Sequence, residues 1–234
     1  MKHYFSLLAI FFLLLSCGGD PSENSMLLTG EVKGLKKGNI YLQKVTDTAY
    51  VTLDSMVVDG SALFSFSEEI TAPEVFYLTL TFKDSSNTIK RLPFFAEPGI
   101  VTVNTTLENY ERDAQIVGSV NQEKLNEYKT LMKRYNDKNL DLLKVGFDAL
   151  KDGNDSLVTA SKAQRDKLLK NRYLASVNYA INNGAYEVAP YITLNEIFDV
   201  NTKYLDTIYA SLTPKIKDSK YGKALESYIV ERKN

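Results

Sequence analysis

Val75-Phe76-Tyr77-Leu78-Thr79-Leu80-Thr81-Phe82 is the stretch that decides the fold. Its side chains alternate with period two. Phe76, Leu78, Leu80 and Phe82 fall on one face, with Tyr77, Thr79 and Thr81 on the other, as in a strand with one face on a core. The β-branched and aromatic content fits a pleated surface. The same period recurs on both sides. Leu27 to Val32 reads as one strand, and Lys36-Lys37-Gly38-Asn39 as a turn into Ile40 to Lys44. Val51 to Val58 follows, closed by Asp59-Gly60, a turn dipeptide of the tight hairpin kind. In Ala62 to Ser67, Phe64 and Phe66 face one way and Ser65 and Ser67 the other. Beyond the central stretch, Asp84-Ser85-Ser86-Asn87 forms a loop before Lys90 to Ala96, and Glu97-Pro98-Gly99 turns the chain into Ile100 to Asn104.

Seven or eight short strands in about 90 residues, each bounded by Gly, Pro or Asp/Asn, predict an antiparallel β-sandwich or barrel over residues 26–118. Past Gly118 the period becomes helical. Leu125, Tyr128, Met132, Tyr135 and Leu142 form an amphipathic stripe on a helix from Asn121 to Leu150. Asp152-Gly153-Asn154-Asp155 interrupts it. A second helix is expected from Ser156 to Asn182, stopped by Asn182-Asn183-Gly184 as a C-terminal cap. Shorter helices are expected at Val188–Phe198, Asn201–Leu212 (ended by Pro214) and Ser219–Arg232. The fold class is therefore α+β, with the strands first and a helical region over residues 119–234.

Composition excludes several chemistries. The apolar fraction is 44% and the charged fraction 24%, ordinary for a globular chain. Formal net charge is −1, so there is no basic field to recruit nucleic acid, and no nucleic-acid partner is expected. Tyrosine (15) and phenylalanine (11) are plentiful and tryptophan is absent, which argues mildly against a glycan site. Cys17 is the only cysteine and His3 the only histidine.

The amino-terminal stretch explains both. Met1 to Cys17, MKHYFSLLAIFFLLLSC, has a basic start at Lys2, an apolar run from Tyr4 to Leu15 and a small residue before the cysteine. That is the three-part layout of an export signal. A run of about a dozen apolar residues is shorter than the roughly 20 that span a bilayer. Ordinary cleavage sites favour small residues at both −3 and −1, and position −3 here is Leu14. Leu14-Leu15-Ser16-Cys17 resembles a bacterial lipoprotein box. On that reading residues 1–16 are a signal peptide, Cys17 carries the lipid, and residues 17–25 are a flexible tether. His3 leaves with the signal, and the lipid consumes the thiol. The mature chain then has no imidazole and no free thiol, which removes Ser-His-Asp and Cys-His catalysis, dithiol redox chemistry and His/Cys zinc sites. No catalytic, metal or cofactor site is expected.

Thr29-Gly30-Glu31-Val32-Lys33-Gly34-Leu35 followed by Gly38-Asn39-Ile40-Tyr41-Leu42 resembles the opening of a domain of unknown function. That domain stands before the thioredoxin-like (AhpC/TSA, redoxin) domain in Bacteroides-type thiol:disulfide interchange lipoproteins. Asp54-Ser55, Asp59-Gly60 with Phe64-Ser65-Phe66, Pro73, Phe94 to Gly99 and Gly118-Ser119 fit the family's further marks. The resemblance covers the chain in detail to about Gly118 and the helical part in general layout. Tyr221-Gly222 with Leu225 looks like the last helix before the family's redox domain. The dithiol of that domain has no counterpart here, so its oxidoreductase activity does not carry over.

Each motif also has a structural reading. Gly34, Gly38, Gly60 and Gly99 are read as supplying backbone angles that other residues reach only with strain. Glu97 is the one carboxylate in an apolar aromatic run, either a buried acid with raised pKa or a cap closing the turn at the sheet edge. No second acid or base is placed beside it, so the cap is preferred. Acid-hydroxyl-aliphatic tripeptides at Thr48, Ser55, Ser156 and Thr207 resemble O-glycosylation sequences of that bacterial group, Ser156 in its loop being the best placed. The expected protein is a non-catalytic cell-envelope lipoprotein, held to the membrane by Cys17 and acting as a scaffold or accessory module on an envelope protein partner. The alternatives are a binding module with a pocket between sandwich and helices for a peptide, glycan or lipid, or an accessory of a separate thioredoxin-like oxidoreductase.

Overall fold

The computed structural model describes residues 24–46, 48–82 and 88–233. The signal, Cys17 and the loop at Asp84 to Asn87 lie outside the described residues. Eight strands come first: β1 (Ser25–Lys33), β2 (Lys37–Thr46), β3 (Ala49–Asp59), β4 (Leu63–Glu69), β5 (Glu74–Thr81), β6 (Ile89–Ala96), β7 (Gly99–Thr106) and β8 (Gln115–Val117). Six helices follow among the described residues: α1 (Val120–Lys151), α2 (Asp155–Asn182), α3 (Val188–Glu196), α4 (Thr202–Ser211), α5 (Pro214–Lys217) and α6 (Lys220–Lys233). The α+β layout is the expected one.

The strands form two four-stranded sheets, ordered β4-β1-β7-β8 and β3-β2-β5-β6. Their inner faces meet in one core. Leu28, Phe64 and Val101 from the first sheet pack with Leu42, Leu78 and Phe94 from the second. The deciding stretch is an interior strand, β5, paired with β2 and β6. Its second face is also covered. Val75 joins a cluster with Phe95, Leu125, Tyr128, Val188 and Ile192, with Tyr77 packed at its edge. The molecule is thus three layers, sheet on sheet with helices over one end of the outer face of β5 and β6. A third cluster, including Val177, Ala189, Leu205, Ile208 and Leu225, holds the helices to one another.

Several local expectations are corrected. Asp59-Gly60 does not close a hairpin: β3 and β4 are edge strands of different sheets, and the turn carries the chain across the core. Likewise Glu97-Pro98-Gly99 crosses from β6 to β7, and β7 lies parallel to β1, from Met26 opposite Gly99 to Lys33 opposite Thr106. The other described pairings are antiparallel. The turn before β2 is at residues 34–36, and Gly38 lies within the strand. Neither Gly38 nor Gly184 has a positive φ. Both are glycine for space, since an added Cβ would sit 2.9 Å from the Thr81 carbonyl oxygen and 2.5 Å from that of Ser211, respectively. The residue that caps α2 is Asn183. Pro214 does more than end α4: it is the first residue of α5, where a missing N–H costs nothing.

Two glycines separate steric from conformational demand. At Gly30, in the middle of β1, an added Cβ would lie 1.8 Å from the Val103 carbonyl oxygen of the neighbouring strand. At Gly60 φ is 98°, with nothing within 4 Å of the added carbon. Gly60→Ala is expected to cost about 1–2 kcal/mol, the left-handed penalty alone. Gly30→Ala should cost about 3 kcal/mol or more, because β1 and β7 must separate. Urea unfolding midpoints rank the two, and equal losses would contradict the close approach of those strands.

Candidate interaction surface

The helical half is aimed by a polar joint at the start of α1. Helix N-termini leave their first N–H groups without intrahelical partners. Here one carboxylate and one hydroxyl take three of them. Glu97 Oε2 accepts from the Val120 N–H at 3.2 Å, Oε1 accepts from the Asn121 N–H at 2.7 Å, and Ser119 Oγ accepts from the Gln122 N–H at 3.0 Å. Ser119 in turn donates to Glu97 Oε1 at 2.9 Å. A negative charge at this end also suits the helix dipole. Glu97 is therefore a cap, as preferred from the sequence, but of α1, to which it comes from the turn leaving β6.

The next two side chains tie α1 to its neighbours. Gln122 Oε1 accepts from the Phe95 N–H at 3.0 Å, using a donor on the outer edge of β6 that would otherwise be buried unpaired. Asn121 accepts from the Val188 N–H at 2.8 Å and donates to Glu187 Oε2 at 3.3 Å, fixing the start of α3. Across the joint the Tyr221 hydroxyl of α6 accepts from the Val75 N–H at 2.9 Å, just past the last β2 pair on β5. Tyr221, Tyr191 and Phe95 pack edge to face, with centroids 5.2, 5.3 and 6.3 Å apart. Burial pushes the Tyr191 hydroxyl up to about 12 and raises that of Tyr221 as well. These phenols stay neutral and pack as core, and that of Tyr221 also takes the Val75 N–H.

From this joint α1 and α2 run out together. Cluster-forming residues on α1 end at Tyr135, and on α2 they begin at Tyr173. Outboard of these, the two helices pack on each other alone, through Leu142, Ala149 and Ser161, with Ser161 Oγ donating to the Leu142 carbonyl at 2.6 Å. At about 1.5 Å per residue the free arm of α1 is roughly 24 Å long. Its outer side is apolar and bare, with Leu140, Phe147 and Leu150 each 62% exposed. One surface connects three concavities along α2. A cavity of about 350 Å³ lies at the tip, beside Leu143, Phe147, Leu150 and Val158. Another of about 390 Å³ lies between α2 and the start of α4, lined by Leu169, Tyr173, Val177, Val200 and Tyr204. A smaller one of about 180 Å³ joins them. Asp166 borders all three. At the inner end the Tyr173 hydroxyl donates to Asp199 at 3.0 Å.

Sequence reasoning missed this face because it followed only the stripe through Leu125, Tyr128, Met132, Tyr135 and Leu142 on this helix. The signal was there in the other apolar residues: Leu140, Leu143, Phe147 and Leu150 supply a second stripe, offset from the one through Leu125, Tyr128 and Met132 that meets the body. Of the residues singled out earlier, Ser156 is not in a loop but in the first turn of α2, exposed, and Thr207 lies within α4. Between sandwich and helices, where a ligand pocket was considered, there is a shallow open groove beside β8, bordered by polar and charged α1 residues such as Glu123, Thr130 and Arg134. Among the described residues no three His, Cys, Asp or Glu side chains gather as a metal site, and no helix is long and apolar enough to cross a membrane.

Residues 26–125 match the family described as a domain of unknown function (DUF4369), a span that runs from β1 into the first turns of α1 and so includes the joint residues from Glu97 to Gln122. No curated protein matches the chain. A solved structure titled pT26-6p is similar over 85% of this chain at 10% identity, with a TM-score of 0.23. The chain spans about 42% of that structure's length, and so slight a likeness bears on neither fold nor function.

Glu187 gives the joint a pH signature. It is 5% exposed, and burial raises its pKa, opposed by the hydrogen bond from Asn121 and the charge of Lys215. The folded state then holds this proton to higher pH than the unfolded chain. Stability falls as pH rises from the ordinary glutamate range through the folded value, and is level above it. Glu187→Gln keeps an oxygen for Asn121 and removes the charge. Urea midpoints between pH 4 and 8 should show the variant gaining on the wild type as pH rises. Parallel curves would contradict a buried, ionising Glu187.

Proposed function

We propose that this chain is a non-enzymatic lipoprotein of the bacterial cell envelope, tethered through Cys17 and acting through protein contacts made by its helical half. The observation that carries the reading is the bare apolar face of the α1–α2 arm. A two-helix hairpin exposing Leu140, Phe147 and Leu150 along a free edge is the kind of contiguous apolar surface that marks an interaction site. Three further features support it. The joint at Glu97 holds the arm at a fixed angle to the sandwich, as a presenting scaffold requires. The amino-terminal sequence Leu14-Leu15-Ser16-Cys17 has the form of a lipoprotein box. Removal of the signal leaves a body with neither histidine nor free thiol.

The family resemblance adds a context. The matched domain of unknown function is, on the residues quoted above, like that preceding thioredoxin-like domains of envelope lipoproteins, so an accessory role beside a separate thioredoxin-like protein fits the same reading. A second reading is favoured by the cavity of about 390 Å³ between α2 and α4, which has the size of a small-ligand site and an apolar lining with Asp199 and Tyr173 at its rim. An amphiphile bound there would raise the thermal midpoint of the isolated chain, and a screen that moves nothing favours the scaffold.

The proposal is tested by metabolic labelling with a palmitate analogue. The wild type should carry the label and fractionate with membranes, and Cys17→Ser should lose the label. Multiple acyl chains anchor stably, because each buried methylene contributes about 0.8 kcal/mol. An unlabelled wild type, or purified protein that reduces disulfides faster than buffer, would end the proposal.

A further inference from the structure

The outer face of the β3-β2-β5-β6 sheet carries two buried polar atoms that no group among the described residues satisfies. Thr79 of β5 is 3% exposed, and its hydroxyl has no hydrogen-bond partner. Gln43 of β2 spends its amide Nε2 on Thr52 Oγ1 at 2.9 Å, and its Oε1 is likewise buried and unpaired. Native folds leave few such groups, because each has lost its water without a replacement. The register brings the two together. Gln43 stands opposite Tyr77, and Thr79, two residues further along β5, stands opposite Tyr41. They are diagonal neighbours on one face, with Cβ atoms on the order of 7 Å apart.

Their cover comes from the two edges of the sheet. Tyr50 stands on β3 opposite Val45, and Arg91 stands on β6 opposite Thr79. Both lean inward until the Arg91 guanidinium lies 4.4 Å from the centre of the Tyr50 ring, which also packs edge to face on Tyr77 at 5.0 Å. Both side chains are exposed, Tyr50 by 44%, and a cation–π contact at an exposed site is weak. Turning Arg91 out to solvent uncovers a tyrosine platform with two unsatisfied polar atoms at its base.

The chemistry of those atoms selects the ligand. Gln43 Oε1 only accepts, so the ligand must donate, which an ionised carboxylate does not do. A cation is opposed by Arg91 on the same face. A peptide adds to a sheet along an edge, and β2 and β5 are interior strands. A neutral ring with hydroxyls on both sides spans a diagonal pair and lays its C–H face on an aromatic one. We propose that this face is a carbohydrate-binding site. Tyr50 and Tyr77 form the stacking surface, tyrosine serving in a chain without tryptophan, and Gln43 and Thr79 take the ring hydroxyls. The site goes beyond the reading of the arm and does not depend on it.

Native gels cast with soluble polymers, run on the full-length protein in mild detergent, test the site. At least one of three neutral polysaccharides, a β-glucan, an α-mannan or a xylan, should slow the wild type, while polygalacturonate and gelatin should not. Thr79→Val keeps the shape of the side chain and removes the hydroxyl. It should weaken retention about tenfold and yet raise the urea midpoint, since an unpaired buried group is gone. Tyr50→Ala, at an exposed position, should weaken retention by a similar factor with the urea midpoint unchanged. A Thr79→Val protein less stable than the wild type means that the hydroxyl already has a partner, such as an ordered water, and overturns the proposal. So does a wild type that no neutral polysaccharide slows, retention by gelatin or polygalacturonate alone, or variants retained as the wild type is. None of these outcomes bears on palmitate labelling or on the arm, so a failure here is distinct from a failure of the functional reading.

Discussion

The carboxylate of Glu97 is the constraint on which the rest depends. It stands in the turn that carries the chain off the edge of one sheet, and 22 to 24 residues later its oxygens receive Ser119 Oγ and the N–H groups of Val120 and Asn121. In isolation such a cap contributes about 1 kcal/mol, with a comparable amount from the helix dipole. Its structural consequence is larger than that. By fixing where α1 begins, it places Gln122 on the edge N–H of Phe95 and Asn121 between α1 and α3. Those donors are buried when the helices close over Val75 and Phe95, and each left unpaired would cost about 1–3 kcal/mol. The apolar contact and the polar joint thus depend on one another.

Which parts were legible from the sequence follows from the range of the interactions that fix them. Alternation within β4 and β5 is a local property, so Phe64, Phe66, Leu78 and Leu80 were placed on the core face without knowing their partners. The stripe through Leu125, Tyr128 and Met132 was likewise local. Sheet membership was not. Asp59-Gly60 is sound turn chemistry whether it closes a hairpin or crosses between sheets, and only the pairing of β4 with β1 decides. The parallel contact of β1 with β7 joins residues 73 positions apart and leaves no local mark. Gly38 and Gly184 misled for the same reason, since the backbone that crowds them comes from Thr81 and Ser211.

The candidate surface was the least legible feature. Leu140, Phe147 and Leu150 have the spacing of a buried stripe, and periodicity alone cannot distinguish a face that meets the body from one that meets nothing. What separates them is length. The body accepts α1 only as far as Tyr135, so everything beyond it that is apolar and faces away from α2 stays exposed. Tyr191 and Tyr221, beside the joint, are held neutral by burial, their rings packed edge to face and the Tyr221 hydroxyl taking the Val75 N–H. What the fold builds here is an arm of two helices held by a polar joint at the end of a sandwich, with apolar side chains exposed along it.

The central claim is that this joint makes sandwich and helices one cooperative unit. Amide hydrogen exchange, followed by mass spectrometry in increasing sub-denaturing urea, tests it directly because it reads the opening free energy of each segment separately. In the wild type, peptides from β5 and from the inner half of α1 should converge on one opening free energy. In Glu97→Ala combined with Gln122→Ala, α1 should open well before β5. Two separate openings in the wild type, or a variant whose halves still open together, would contradict it.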